Sequence, residues 1–316
     1  MKPRVAIATG DPGGIGPEIS IKAALDERVR AICDPVLIGD RAALEACGVA
    51  LGSVCIVERR QLKPGELRIG EISAAHGRAA LDSVRAAIEG ALAGEYHAVV
   101  AAPHIQSAIH AAGLPFDGYP SFVARAAGLA PQDGILMLCF QWQAREIRIA
   151  HVTLHASVLH SLSMINPHRV LCTLRATDEF LKKIGIGRPL IAVGGVNPHA
   201  GEGGLFGDEE ERILAPALAA ARREGIAAEG PMGADTLIQR AGYDAYVVML
   251  HDQGHVAAKL LAPHGAAALT IGTPVLFSSV AHGAALDIAG KGKAEHGAMV
   301  EAITRLVGRR RRVPAT

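Results

Sequence analysis

Short apolar runs alternate with alanine-rich stretches, and this alternation constrains the fold more than any other feature of the chain. Runs at 5–8, 35–38 and 98–102 have the composition of buried strands. Stretches at 19–25, Arg41–Ala46 and 78–93 have that of helices. A strand covered on both faces reads as a continuous apolar run, not as an alternating one. The pattern therefore predicts an α/β fold with a largely parallel core. Three further runs, at 147–152, 190–196 and 246–250, extend it.

The chain has 316 residues, more than one hydrophobic core usually holds, so two domains are expected. No repeat or low-complexity linker marks a boundary, as expected when the chain crosses between domains more than once. Half of the residues are hydrophobic and the net charge is +1, which excludes the basic field of a nucleic-acid binder. The arginine run at 309–312 reads as a solvated tail. Cys33, Cys47, Cys55, Cys139 and Cys172 show no CxxC spacing and read as reduced thiols, mostly buried. The chain enters its first strand almost at once, without a signal peptide, and no apolar run is long enough to span a bilayer. A cytoplasmic protein with no membrane partner is expected.

Three histidine-bearing segments stand at the ends of apolar runs: His-Val-Thr-Leu-His at 151–155, Asn-Pro-His-Ala-Gly-Glu-Gly-Gly at 197–204, and His-Asp-Gln-Gly-His at 251–255. Ligands of parallel α/β sheets bind at the carboxyl ends of strands. One such imidazole alone would be read as a strand cap bonded to backbone. Three together point to a divalent metal held by separated ligands.

Two glycine-rich segments suggest a nucleotide. The loop at 10–17 leads from a strand into a helix, where backbone can approach a ligand and the helix N-terminus can hold an anion. Its spacing is neither GxGxxG nor a P-loop, and alone it reads equally well as a plain turn. The segment at 282–293 offers His282, backbone amides and Asp287. A carboxylate there can accept from ribose hydroxyls, or else cap a helix.

Taken together, the motifs at 10–18, 197–204, Gly-Pro-Met-Gly-Ala-Asp-Thr at 230–236, 251–254 with Lys259, and 279–292 resemble the 4-hydroxythreonine-4-phosphate dehydrogenase family. The resemblance covers nearly the whole chain. It implies an isocitrate/isopropylmalate dehydrogenase-like α/β fold of two domains with a cleft between them. A discontinuous cofactor-side domain of 1–120 plus 257–316 and a metal and dimerisation domain of 121–256 are expected. The resemblance further implies a homodimer with the active site at the subunit interface. A divalent metal, zinc foremost with iron, magnesium or manganese as alternatives, is held by His155, His199 and His251 from both subunits. NAD is held by Gly14, Ile15, His282, Gly283, Asp287 and Ile288. His151 is the less expected ligand of its pair, because the family motif places the ligand at the position of His155.

The departures from the family pattern concern the substrate. Members acting on the phosphorylated threonine carry Gly-His-Thr where this chain has Gly118, Tyr119 and Pro120, an Asn where it has Ala268, and an Arg where it has Phe277. Asn and Arg suit a phosphate because they present N–H donors, Arg in a planar fork. Their replacement makes the pocket more apolar and argues against a phosphorylated amino acid. The segments around Gly118, 151–155 and 249–265 are most similar to the branch that oxidises terephthalate dihydrodiol, 1,2-dihydroxy-3,5-cyclohexadiene-1,4-dicarboxylate. Tyr119, Ser121, Phe277 and Lys259 are the expected substrate contacts. Lys259 binds a carboxylate or moves a proton, and Asp235 and Asp252 are candidates for a base or for orienting the metal histidines. The expected reaction is oxidation of a secondary hydroxyl β to a carboxylate, then loss of CO2 to give 3,4-dihydroxybenzoate. The alternatives are a relative acting on isophthalate dihydrodiol or a phosphorylated hydroxy acid, and a catalytically silent metal-binding homologue.

Overall fold

A computed structural model describes residues 2–262 and 266–307. The arginine run at 309–312 and the end of the 259–265 segment lie outside the described residues. In chain order the elements begin with β1 (Arg4–Ala8), α1 (Gly16–Leu25), α2 (Glu27–Ile32), β2 (Asp34–Gly39), α3 (Arg41–Ala46) and β3 (Cys55–Glu58). Next come α4 (Ala74–Leu92), β4 (Ala98–Ala101), α5 (Gln106–Ala111), α6 (Tyr119–Ala126), β5 (Ile135–Trp142) and β6 (Arg145–His151). They continue with α7 (Val158–Met164), α8 (Pro167–Lys183), β7 (Leu190–Gly194), α9 (Ala215–Arg223), β8 (Ala227–Met232) and α10 (Ala234–Leu237). The last are β9 (Ala245–Val248), α11 (His251–Leu261), β10 (Ala267–Ile271), β11 (Phe277–Val280) and α12 (Gly297–Val307). The α/β class read from the sequence is the one observed.

Among the described residues two compact units divide the chain, one built from the residues up to Pro131 with those of 273–307, the other from Gln132–Gly272. These crossings lie beyond 120/121 and 256/257. Phe122 and Val123 of α6 are buried in the first unit's core, and α11 packs on β5 and β6 of the second.

The first unit carries five strands in the order β3-β2-β1-β4-β11, all parallel. Val5, Ala6, Ile7 and Ala8 are fully buried, as a covered central strand requires. Its core joins the strands to Leu81, Val84 and Ile88 of α4 and to Tyr119, Phe122 and Phe277.

The second unit carries β10-β5-β6-β9-β7-β8. Its β6, β9, β7 and β8 run parallel, whereas β10, β5 and β6 pair antiparallel. The β5–β6 hairpin was not read from the sequence. Gln143 and Ala144 turn it with φ of 48° and 61°, without the Asn-Gly or Gly signal that normally announces such a turn. Among the described residues, no helix is long and apolar enough to cross a membrane.

Candidate active site

In the first unit the two glycine-rich segments meet. The Ile15 N–H donates to the Ala284 carbonyl at 2.9 Å, and the Gly14 N–H donates to the Asp11 carbonyl at 3.1 Å. A side-chain carbon on Gly14 would stand 2.7 Å from the Ala284 Cβ, so only glycine permits this approach. The amide of Ile15, one of the expected nucleotide contacts, thus holds the second loop against the N-terminus of α1, and that of Gly14 closes the first loop on itself. His282, Gly283 and Asp287 are exposed and Ile288 is half-buried, so they form the accessible edge of the cradle.

An ion pair with a fully buried carboxylate fastens the far end of that loop. Glu18 is fully buried and accepts from Lys22 Nζ at 2.7 Å and from the Ala294 N–H at 2.6 Å. Lys22 also donates to the carbonyls of Gly292 and Ala294 at 2.9 and 2.8 Å. Beneath the cradle, burial raises the Asp11 carboxyl above its ordinary value, partly offset by the Gly13 N–H and by His76. Lys291 donates to the Asp287 backbone carbonyl at 2.7 Å.

In the second unit the histidines gather at the ends of β6 and β9. His151 is 2% exposed and donates through Nδ1 to the Leu136 carbonyl at 3.3 Å. Burial pushes it down to about 3, so it is neutral. His155 follows on an exposed segment, its ring centroid 5.7 Å from that of His251. His251 opens α11, and His255, one turn on, stacks on it at 3.7 Å with 9° between planes. The His255 Nδ1 donates to the His251 carbonyl at 3.1 Å, and burial lowers it to about 4. Reading for separated ligands overlooked His255, although its spacing four residues after His251 on a helix puts both rings on one face.

His199 sits in a left-handed stretch, with φ of 51° at His199 and 54° at Ala200. The preceding turn is fixed by Glu210, whose Oε1 accepts from the N–H groups of Val196 and Asn197 at 2.7 and 2.8 Å. The His199 ring lies 6.1 Å from that of Phe206, and the rings of His155 and His251 lie 5.7 Å apart. Among the described residues, no three His, Cys, Asp or Glu side chains are arranged to hold a metal within this one chain.

The donor chemistry nevertheless fits a divalent ion. The Nδ1 of His199 faces Glu202 Oε2 at 2.9 Å and the Nδ1 of His251 faces Asp252 Oδ1 at 2.6 Å. A carboxylate on one ring nitrogen fixes the tautomer and leaves the other nitrogen as the lone-pair donor. Asp252 therefore sits where an orienting group would. Asp235 is exposed on α10, which packs against the turn carrying His199. Lys259 is exposed on α11, eight residues after His251.

The remaining expected substrate contacts belong to the first unit. Tyr119 is 7% exposed and its ring lies 5.1 Å from that of Phe277. Phe277 is only 1% exposed on β11. It thus offers no surface to a substrate ring in this chain and instead supports Tyr119 from the core. Ser121 hydrogen-bonds the Asp117 carboxylate.

The comparisons with known proteins follow this geometry. The family model described as pyridoxal phosphate biosynthetic protein PdxA matches residues 31–306. A 1,2-dihydroxy-3,5-cyclohexadiene-1,4-dicarboxylate dehydrogenase from a Comamonas species is 42% identical over 310 residues, 96% of each chain. The terephthalate 1,2-cis-dihydrodiol dehydrogenase of Burkholderia xenovorans superposes with a TM-score of 0.76 at 38% identity, covering 97% of this chain and 98% of its own. The 4-hydroxythreonine-4-phosphate dehydrogenase of Klebsiella pneumoniae gives 0.83 at 34%, with the same coverage. A Methylococcus capsulatus isocitrate dehydrogenase, 16% identical with a TM-score of 0.50, shares the fold. These relatives are named as dehydrogenases, which supports an oxidoreductase. On the extent of the family match and the identity to full-length relatives, the chain belongs to the PdxA family.

Proposed function

We propose that this chain is an NAD-linked, metal-dependent dehydrogenase that oxidatively decarboxylates a cis-dihydrodiol carboxylate, with terephthalate dihydrodiol as its substrate. One observation carries the choice of substrate. Tyr119 lies in an aromatic cluster with Phe116 and Phe277, at ring distances of 5.4 and 5.1 Å. A phosphate placed against such rings without paired donors suffers a desolvation penalty of roughly several kcal/mol. A flat carbon ring gains from packing at the edge of this cluster, where Phe116 is half-buried.

When bound, a divalent ion at His155, His199 and His251 supplies Lewis-acid polarisation of the reacting oxygen and NAD accepts hydride. Glu202 and Asp252 keep His199 and His251 in the ligating tautomer. The Lys259 ammonium receives the carboxylate beside the reacting carbon, and Asp235 is the candidate to take the hydroxyl proton. The substrate loses hydride and a proton at the secondary alcohol to become a ketone β to a carboxylate. Loss of CO2 and return of a proton then restore the aromatic ring as 3,4-dihydroxybenzoate. Exposed Val158, Leu159 and Leu162 on α7, at 68%, 82% and 44%, support a homodimer whose two subunits together complete the metal ligands.

The test follows absorbance of the reduced nicotinamide and release of CO2. Terephthalate dihydrodiol, isophthalate dihydrodiol and 4-phosphohydroxythreonine are each supplied with and without chelator. Turnover of the first alone, abolished by chelator, is expected. Efficient turnover of the phosphorylated amino acid with none on any dihydrodiol overturns the reading, and silence on every substrate leaves only a metal-binding homologue.

A further inference from the structure

Three imidazoles form a row in the second unit, running from the buried His151 through His255 to His251. The ring centroids of His151 and His255 lie 4.8 Å apart, and those of His255 and His251 lie 3.7 Å apart with 9° between planes. The first two rings are anchored on backbone. His151 meets the Leu136 carbonyl through Nδ1 at 3.3 Å and packs on Gly254. His255 donates through Nδ1 to the His251 carbonyl at 3.1 Å, so its ring cannot turn without losing that bond. The start of α11 is fixed as well. Gln253 Oε1 accepts from the N–H groups of Met249 and Leu250 at 2.9 and 3.0 Å, and its Nε2 donates to the Gly195 carbonyl at 3.0 Å. What the backbone leaves free at His251 is rotation of the side chain.

An imidazole binds a metal through a lone pair in the plane of its ring, so the orientation of that plane decides affinity. Asp252 meets His251 Nδ1 at 2.6 Å, yet the Asp252 side chain is 85% exposed and water competes for the bond. The stacked His255 is the firmer restraint, half-buried and backed by His151. We infer that His255 is a positioning residue, which fixes the plane of the His251 ring by stacking on it and so raises the affinity of the proposed metal site. This rests on the reading of His251 as a metal ligand. His255 is not itself a ligand in this arrangement. An ion lies in the plane of each ring that binds it, about 2.0–2.1 Å from the nitrogen. Two planes 9° apart, on rings 3.7 Å apart, meet far beyond that reach. A ring that holds a cation also becomes electron-poor, which favours the π face of an aromatic neighbour.

The test uses the full-length protein without substrate, titrated with cobalt(II), a divalent probe that absorbs in the visible. His255→Phe keeps a flat ring against His251, and His255→Leu keeps apolar bulk without one. Neither side chain can ligate a metal, and neither restores the bond to the His251 carbonyl. His255→Leu is expected to raise the Kd for cobalt about tenfold, as for other groups that orient a ligand, while His255→Phe stays within about threefold of the wild type. A purely structural role would move both variants together. Equal Kd values for the two variants, whether near the wild type or both raised, therefore overturn the inference. Loss of cobalt in both variants, as complete as in His251→Ala, would make His255 a ligand and overturns it too. His251→Ala separates this inference from the metal reading beneath it. If His251→Ala abolishes cobalt binding while the Leu and Phe variants match, the ligand assignment stands and only the positioning role fails. If the wild type binds no cobalt, or His251→Ala binds it as tightly as the wild type, both fail.

Discussion

The Nε2 of His151 lies 2.2 Å from the point where a side-chain carbon on Gly254 would stand, so the buried imidazole packs directly on the backbone of α11. Ile149 closes the same spot at 3.0 Å. Replacing an interior helical glycine by alanine ordinarily stabilises by about 0.5–1 kcal/mol. Here overpacking wins, and Gly254→Ala should lower stability by about 1–3 kcal/mol in urea denaturation. A stabilised Gly254→Ala protein would show that His151 can move aside.

Lys22→Met should be more damaging than a lysine substitution at the surface. It leaves the buried Glu18 carboxylate without its cation and releases the carbonyls of Gly292 and Ala294. Breaking one side of such a pair costs about 3–5 kcal/mol. The double variant Lys22→Met with Glu18→Gln should recover part of it. A loss within about 0.5 kcal/mol, the usual span for a surface change, would mean that the clamp is dispensable.

Acid should weaken the fold over a defined window. Burial holds His104 at about 4 and His255 at about 4 in the folded chain, against an ordinary 6.5. Between these values the unfolded chain binds more protons, so stability is complete above about 6.5 and falls as the pH drops toward 4. His104 alone should contribute on the order of 2 kcal/mol across that range. His104→Leu should flatten the slope of unfolding free energy against pH there. An unchanged slope would remove His104 from the account.

His155→Ala and His199→Ala should each lose bound metal and nearly all turnover, because a small ligand set tolerates little loss. Asp252→Asn should weaken metal binding by roughly 10–100-fold, as expected for a group that orients a ligand. His151→Ala should be milder, since its Nε2 packs on Gly254. Metal analysis after dialysis decides the order, and a worse effect at His151 than at His155 would place the ligand four residues earlier.

NAD should be preferred over NADP. Asp287 is exposed at the edge of the cradle, and an acidic group on the ribose disfavours a 2′-phosphate. The Lys291 ammonium, which could otherwise reach that phosphate, is held on the Asp287 carbonyl. Catalytic efficiencies measured with both cofactors test this, and comparable values would sink it.

The alternation of apolar runs and alanine-rich stretches was enough to place β2, α3 and β4, because a strand buried in a parallel sheet and a helix packed on it each carry a local pattern. The glycines and histidines at strand ends were legible for the same reason: chain turns there, and special residues mark the turn. The hairpin through Gln143 and Ala144 was not legible, because its left-handed turn is imposed by the pairing of β5 with β6 and not by turn residues. Tertiary structure alone decided which side chains meet. Local pattern could not show that the chain would bring His104, Tyr119 and Phe277 together from three distant segments, or bury Phe277 beneath Tyr119. It also could not show that His255 would stack on His251. Periodicity fixes which face of an element is apolar, and only the packing of elements remote in sequence fixes what that face touches.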